Sequence, residues 1–304
     1  MTFKQRREYL FVYSVKDANP NGDPLNANHP RYDEETGQVL VSDVRIKRTV
    51  RDQWVRDGKD VFVDGEAKTA KKKIEELQEK LKVKEGKKIC AGCIDTRLFG
   101  VTYPVEGKSF SWVGPVQFKW GRSLHRVKPE LIQGTAAFAT KDESDQRSFR
   151  NEYIVPFALI AVYGIANQNA AKTTGATDAD LRELKAALWD GTVNLITRSK
   201  VGHVPRLLLE IVYSEGFQGA IGSLDEKVCL SKAEGTEAAN FSRDEEFAIR
   251  SVRDCRLDIS LLAERIKGVK DDIALVNIRK DADLEIIGLD ELQQDLGDKI
   301  KKEE

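Results

Sequence analysis

Apolar positions recur along this chain with two periods, and the switches between them mark its elements. Residues 8–15 hold a near-continuous apolar run (YLFVYSV from Tyr9), the pattern of a strand buried on both faces. Six turn-forming residues, Asn19-Pro20-Asn21-Gly22-Asp23-Pro24, follow it. Pro20 fixes its own φ and pushes Asn19 to an extended conformation, and Asn-Gly tolerates positive φ, so the strand stops sharply after Ala18. Over residues 42–54 the period becomes 3.6, which predicts a helix with Ser42 at its N-cap and one narrow apolar stripe of Ile46, Val50 and Trp54. Lys47, Arg48 and Arg51, with Arg45 at the margin, fill the arc beside that stripe, opposed only by Asp43 and Asp52.

Residues 66–88 change abruptly to Lys and Glu, with Ile74, Leu77 and Leu81 at helical spacing, which predicts a protruding helical insertion over 66–93. Residues 110–127 alternate apolar with polar around Gly114-Pro115, the pattern of a kinked strand. Residues 134–150 are polar and short in side chain and predict a projecting hairpin. Strands follow over 153–162 and 205–213, separated by a helix that opens at the cap Thr177 and stops at Gly191. The order strand, helix, strand, strand, helix, strand gives an α+β fold with a ferredoxin-like core of the kind that RNA-recognition folds share. Residues 1–235 make up this core with its insertions. Residues 236–304 form an extension, with a helix around 245–267 and apolar runs at 273–278 and 284–289, closing one face of the core.

With 304 residues and 40% apolar content the chain can bury a real core. Charged residues reach 33% but cancel to a net charge of -1, so any basic surface is a local patch. No stretch approaches the roughly 18 apolar residues of a membrane span, and none reads as a signal peptide, which predicts a soluble cytoplasmic protein. Cys90 and Cys93 have the spacing of half a zinc site, yet no second CxxC or CxxH accompanies them, so reduced thiols and no bound metal or other cofactor are expected. Gly216 to Gly222 is glycine-rich but lacks GxxxxGK[ST].

Several segments taken together resemble the backbone subunit of type I CRISPR surveillance (Cascade) complexes, the Cas-seven family. They are residues 19–24 (NPNGDP), Pro30-Arg31-Tyr32-Asp33 with Thr36-Gly37, residues 41–51 (VSDVRIKRTVR), residues 94–100 (IDTRLFG), Gly114-Pro115-Val116-Gln117 and Thr197-Arg198-Ser199-Lys200. They stand in the family's order over residues 9–213, and the N-terminal cluster resembles the I-B branch more than the I-C branch. The resemblance implies a palm of RNA-recognition type, helical fingers over 66–93 and a thumb hairpin over 134–150. It further implies copies stacked head to tail along one guide RNA (crRNA), pairing of that guide with target DNA, and other Cascade subunits as partners. The NPNGDP turn then sits where the first strand meets the guide groove, bringing Asn19 and Asn21 there. Lys47, Arg48 and Arg51 are implied to meet guide phosphates, with Ser42 and Arg45 at the helix start. Arg31, Gln117, Lys119, Arg122, Arg198, Ser199 and Lys200 join them by motif neighbourhood. Phe138 and Phe149 stand near the two roots of the thumb. From Gly235 onward the chain has no informative match to the family.

This reading makes the protein a non-enzymatic RNA-binding subunit, in which backbone charge supplies affinity and guide pairing supplies sequence choice. The alternative is an RNA endonuclease of the same RNA-recognition superfamily, using a general-base histidine or carboxylate-bound metal. Its candidates are His29, His125 and His203 with Asp17, Asp23 and Asp33, which lie in no obvious acid–base motif.

Overall fold

The apolar run of residues 8–15 becomes the central strand β1 (Arg7–Ala18) in a computed structural model that describes residues 1–65, 69–105, 107, 109–139, 147–233 and 239–303, with backbone only for 135–139 and 147–150. After the turn come β2 (Tyr32–Asp33), β3 (Gln38–Val41) and α1 (Asp43–Arg56). The insertion contains α2 (Ala70–Leu81) and α3 (Gly86–Gly92), followed by α4 (Ile94–Phe99), β4 (Gly100–Tyr103) and β5 (Phe110–Val113). Then run β6 (Val116–Phe118), β7 (Gly121–Ser123), β8 (Glu130–Ala139) and β9 (Arg147–Ala166). They are followed by α5 (Gln168–Thr174), α6 (Asp178–Val193) and β10 (His203–Tyr213). The last part holds β11 (Cys229–Lys232), α7 (Arg243–Glu246), β12 (Cys255–Asp258), α8 (Ser260–Gly268), β13 (Ile273–Lys280), β14 (Ile286–Ile287), α9 (Leu289–Leu296) and β15 (Ile300–Glu303).

The main sheet has the order β15-β13-β10-β1-β9-β7-β3-β2, with β6 and β8 also paired to β9. Strand β1 lies antiparallel to both β9 and β10, with Phe11 opposite Val162 and Leu208. Its unbroken apolar run has a simple cause: both faces are covered. Phe11, Tyr13 and Val15 pack with Ile46, Val50 and Trp54 of α1 and Leu181 and Leu184 of α6. Leu10 and Val12 point the other way, into a second core with Leu257, Leu262, Ile266 and Leu292 from the last third of the chain. A third, smaller core joins Ile74, Leu77, Ile89, Cys90 and Cys93 of the insertion to Tyr103.

Three sequence expectations change. Gly191 does not stop its helix, which runs to Val193; a Cβ there would come within 3.0 Å of the Thr49 carbonyl, so this glycine lets α6 approach α1. The pattern over 245–267 is not one helix. Cys255 and Leu257 are buried and alternate with Arg256 and Asp258, a period of two, and this stretch pairs as β12 with β11 before α8 begins. The kinked strand of 110–127 divides at Gly114-Pro115: β5 pairs with β4 in a separate ribbon, while β6 and β7 join β9.

Backbone pairing of β8 with β9 runs from Glu130 opposite Ile154 to Gly134 opposite Arg150 and Thr135 opposite Phe149. Residues 140–146, and the side chains of Phe138 and Phe149, lie outside the described residues. Among the described residues no helix is long and apolar enough to cross a membrane.

Candidate nucleic-acid interface

The turn after β1 is a hub of hydrogen bonds. Asp23 accepts from the Leu25 amide at 3.0 Å and from Asn26 Nδ2 at 2.6 Å, a local Asx arrangement that explains the aspartate. Asn21 Oδ1 accepts from the backbone N–H of Ser42 at 2.8 Å and from its hydroxyl at 3.0 Å. Ser42 Oγ in turn accepts from the Arg45 amide at 3.3 Å and caps α1. The Asn19 amide donates to the Ser199 carbonyl at 2.9 Å, and Lys200 Nζ donates back to the Asn19 carbonyl. Asn19, Asn21, Ser42, Arg45, Ser199 and Lys200, scattered over 180 positions of sequence, therefore meet at one end of the sheet.

Electrostatics divide the candidate cations into two groups. The first group is neutralised inside the chain. Lys47 Nζ pairs with Asp43 at 3.1 Å and donates to Gln117 Oε1 at 3.0 Å; Arg48 pairs with Asp52 at 2.7 Å. Arg51 Nε donates to Asp95 at 3.0 Å, and its guanidinium lies 5.1 Å from the Phe99 ring centre. Arg122 pairs with Asp33 at 3.0 Å and Arg198 with Glu152 at 3.3 Å. Lys119 pairs with Asp225 at 3.1 Å and with Glu226.

The second group is Arg31, Arg45 and Lys200, which make no ion pair with a carboxylate among the described residues. Arg31 lies over the Trp120 ring at 5.3 Å, and Arg45 donates to Thr49 Oγ1 at 2.9 Å. Burial, with Arg45 nearby, pushes the Lys200 ammonium down to about 8. Burial also lowers Arg45, and it takes the imidazole of His203, packed between them and Tyr13, down to about 4. Arg31, Arg45 and Lys200 thus stand half-buried near the turn of Asn19 and Asn21 with no carboxylate ion pair among the described residues.

The three histidines of the endonuclease reading stand in separate surroundings, and of its aspartates Asp23 lies beside His29, donating its backbone N–H to the His29 carbonyl at 2.8 Å. His125 is buried against Phe157, His29 lies tilted against Tyr153 with ring centres 3.5 Å apart, and His203 Nδ1 donates to the Lys200 carbonyl, 2.5 Å away. Among the described residues no three His, Cys, Asp or Glu side chains are grouped to hold a metal ion. Cys90 and Cys93 are free and buried, and burial pushes the Cys90 thiol up to about 12.

The family model described as CRISPR-associated protein Cas7 matches residues 5–260. The chain belongs to the Cas7 family. A Haloferax volcanii protein named CRISPR-associated protein Cas7 is 30% identical over 319 aligned positions, covering 94% of this chain and 90% of that protein. A chain of a solved structure titled "CRISPR RNA-guided surveillance complex, pre-nicking" shares the fold, with a TM-score of 0.53 and 13% identity over 92% of this chain and 95% of that one. The family match runs through β12 and so reaches past Gly235.

Three residues escape sequence reasoning. Asp95 is fully buried and accepts from Arg51, the Phe62 amide at 2.8 Å and the Val63 amide at 3.1 Å, tying the insertion's root to α1. Glu8, also fully buried, accepts from the hydroxyls of Tyr163 and Tyr213 and from the amides of Ile221 at 2.8 Å and Gly222 at 2.7 Å. The glycine-rich loop thus cradles an anion, but it is the chain's own carboxylate. Trp120 was legible only as an aromatic standing between Lys119 and Arg122.

Proposed function

We propose that this Cas7-family chain is a backbone subunit of a type I CRISPR surveillance complex, resembling the I-B branch, that holds guide RNA by its phosphates. The observation that carries this reading is the set Arg31, Arg45 and Lys200, unneutralised around the turn of Asn19 and Asn21. Burying cations without partners is costly, and a bound phosphodiester relieves that cost. These residues take the leading phosphate contacts. Lys47 and Arg48 contribute by exchanging their helical carboxylate partners for phosphate, while Arg51 positions the insertion through Asp95.

In this reading β1, α1, β6 with β7, β9, α6 and β10 form a palm of RNA-recognition type. The sheet order β10-β1-β9-β7, antiparallel throughout the described pairings, supports it. The face that bears stacked bases in free-standing RNA-recognition domains is covered here by the second core, so the guide runs along the turn and the start of α1. The insertion with α2 and α3 serves as fingers. The β8–β9 hairpin serves as thumb; its pairing begins at Glu130 opposite Ile154, so Phe138 and Phe149 stand toward its distal end and not at its roots, as expected from the sequence. Copies stack head to tail along the guide beside other Cascade subunits, and the guide pairs with target DNA. The separately placed histidines, and the commitment of Asp23 to its own turn and of Asp33 to Arg122, favour no cleavage chemistry.

Expression of the chain with a CRISPR array and its operon partners tests the proposal. A large particle carrying one discrete short RNA is expected. Particles free of RNA, or RNA cut by the isolated chain, overturn it.

A further inference from the structure

Trp120 is the most exposed tryptophan among the described residues, at 43% of its surface, whereas Trp54 is fully buried. It stands in the short gap between β6 and β7, two residues before exposed Arg122. Arg31, which enters β2 from the NPNGDP loop, lies over its ring at 5.3 Å, and Arg122 reaches across to Asp33 of that same β2. The Arg31 Nε atom is buried and lacks a hydrogen-bond partner. An indole kept at the surface forgoes the burial that usually stabilises this side chain. Here Arg31, a cation without a carboxylate ion pair among the described residues, lies over its ring, and the Arg31 backbone N–H donates to the Asn21 carbonyl at 2.8 Å in the turn.

We propose that Trp120 and Arg31 form a platform on which one nucleobase of a bound single-stranded RNA stacks. It rests on the guide-binding reading and deepens it, adding a base subsite beside the phosphate subsite of Arg45 and Lys200. Stacking on an indole needs a π-face and not a particular base, so the platform grips guides of any sequence. Arg31 serves both parts, with its charge toward the phosphate and its plane toward the ring.

Two probes separate base from phosphate: a dye-labelled 12-nucleotide oligoadenylate and inorganic polyphosphate, each titrated onto the full chain. Oligoadenylate is expected to quench indole fluorescence, and the quench should vanish in Trp120→Phe, which still binds. Trp120→Ala should bind oligoadenylate about 5- to 150-fold more weakly, the range for losing one stacked base, with polyphosphate affinity unchanged. Equal affinity of Trp120→Ala and the parent for oligoadenylate overturns the platform. So does an equal loss for both probes, which marks a structural role, or a quench that grows with protein concentration alone, which marks contact between copies. If Trp120→Ala fails to fold, the fluorescence of the parent and of Trp120→Phe decides. A parent chain that binds polyphosphate and oligoadenylate equally, without quenching, removes the platform and leaves the phosphate reading intact, whereas one that binds neither overturns both.

Discussion

Arg51 on α1 reaches Asp95 at the start of α4 with Nε 3.0 Å from a carboxylate oxygen that no solvent touches. The two residues belong to the segments VSDVRIKRTVR and IDTRLFG, so the pair joins motifs 44 positions apart. Breaking a buried pair from one side leaves an uncompensated charge and unbonded amides, here those of Phe62 and Val63. Asp95→Ala should therefore destabilise the chain by about 3–5 kcal/mol in denaturant unfolding. A loss below the error of the measurement removes this pair from the fold's essential contacts.

Gly100 (φ +83°) and Gly114 stand back to back where α4 meets the β4–β5 ribbon. A Cβ on either would overlap backbone atoms of the other, and on Gly100 also the Trp112 carbonyl. Since backbone cannot swing aside as a side chain can, Gly114→Ala should cost roughly 1–3 kcal/mol or more. Thermal unfolding checks it, with Gly134→Ala, where a Cβ meets nothing within 4 Å, as the neutral control.

Guide binding should depend on the unneutralised cations more than on the paired ones. Alanine at Arg31, Arg45 or Lys200 is expected to reduce the log–log salt slope of single-stranded RNA binding by about 0.7 each. Alanine at Lys47 or Arg48 should change it less, because each now neutralises an aspartate of its own helix. Filter binding across a salt series distinguishes the two groups, and equal slopes in all five variants would falsify the ranking.

Lys200 also predicts a pH effect. Its ammonium, held down to about 8, loses its charge as pH rises from 7 to 9, so RNA affinity should fall over that window. Arginine stays charged there, and Lys200→Arg should flatten the profile. Identical profiles for the two proteins rule Lys200 out as the titrating group.

In acid the buried histidines dominate. His125 and His203 are each pushed down to about 4, chiefly by burial, against an ordinary value near 6.5. Between those values the unfolded chain binds more protons than the folded one, so stability falls as pH drops from 6.5 to 4. Each histidine contributes about 3 kcal/mol to that loss. Urea midpoints should decline over this range, and His125→Phe should remove close to half of the decline. Midpoints that hold steady down to pH 4.5 would contradict it.

Several strands and helix caps were legible in the sequence because each rests on local chemistry. The double-sided run of β1, the Ser42 and Thr177 caps and the Asn-Pro-Asn-Gly turn act through neighbours a few residues away. So too were the motif segments that mark the Cas7 family. What the sequence could not decide was which charges remain available. Lys47, Arg48 and Arg51 form a basic arc when α1 is read alone, yet two of them are answered within the helix and the third by Asp95 from another motif. Arg31, Arg45 and Lys200, named in the sequence only through their motifs, are drawn toward one end of the sheet only where β1, α1 and the turn before β10 converge. Gly191, read locally as a stop, is set by the approach of α1. Charge compensation and close packing join residues far apart in the chain, and only tertiary structure supplies their distances.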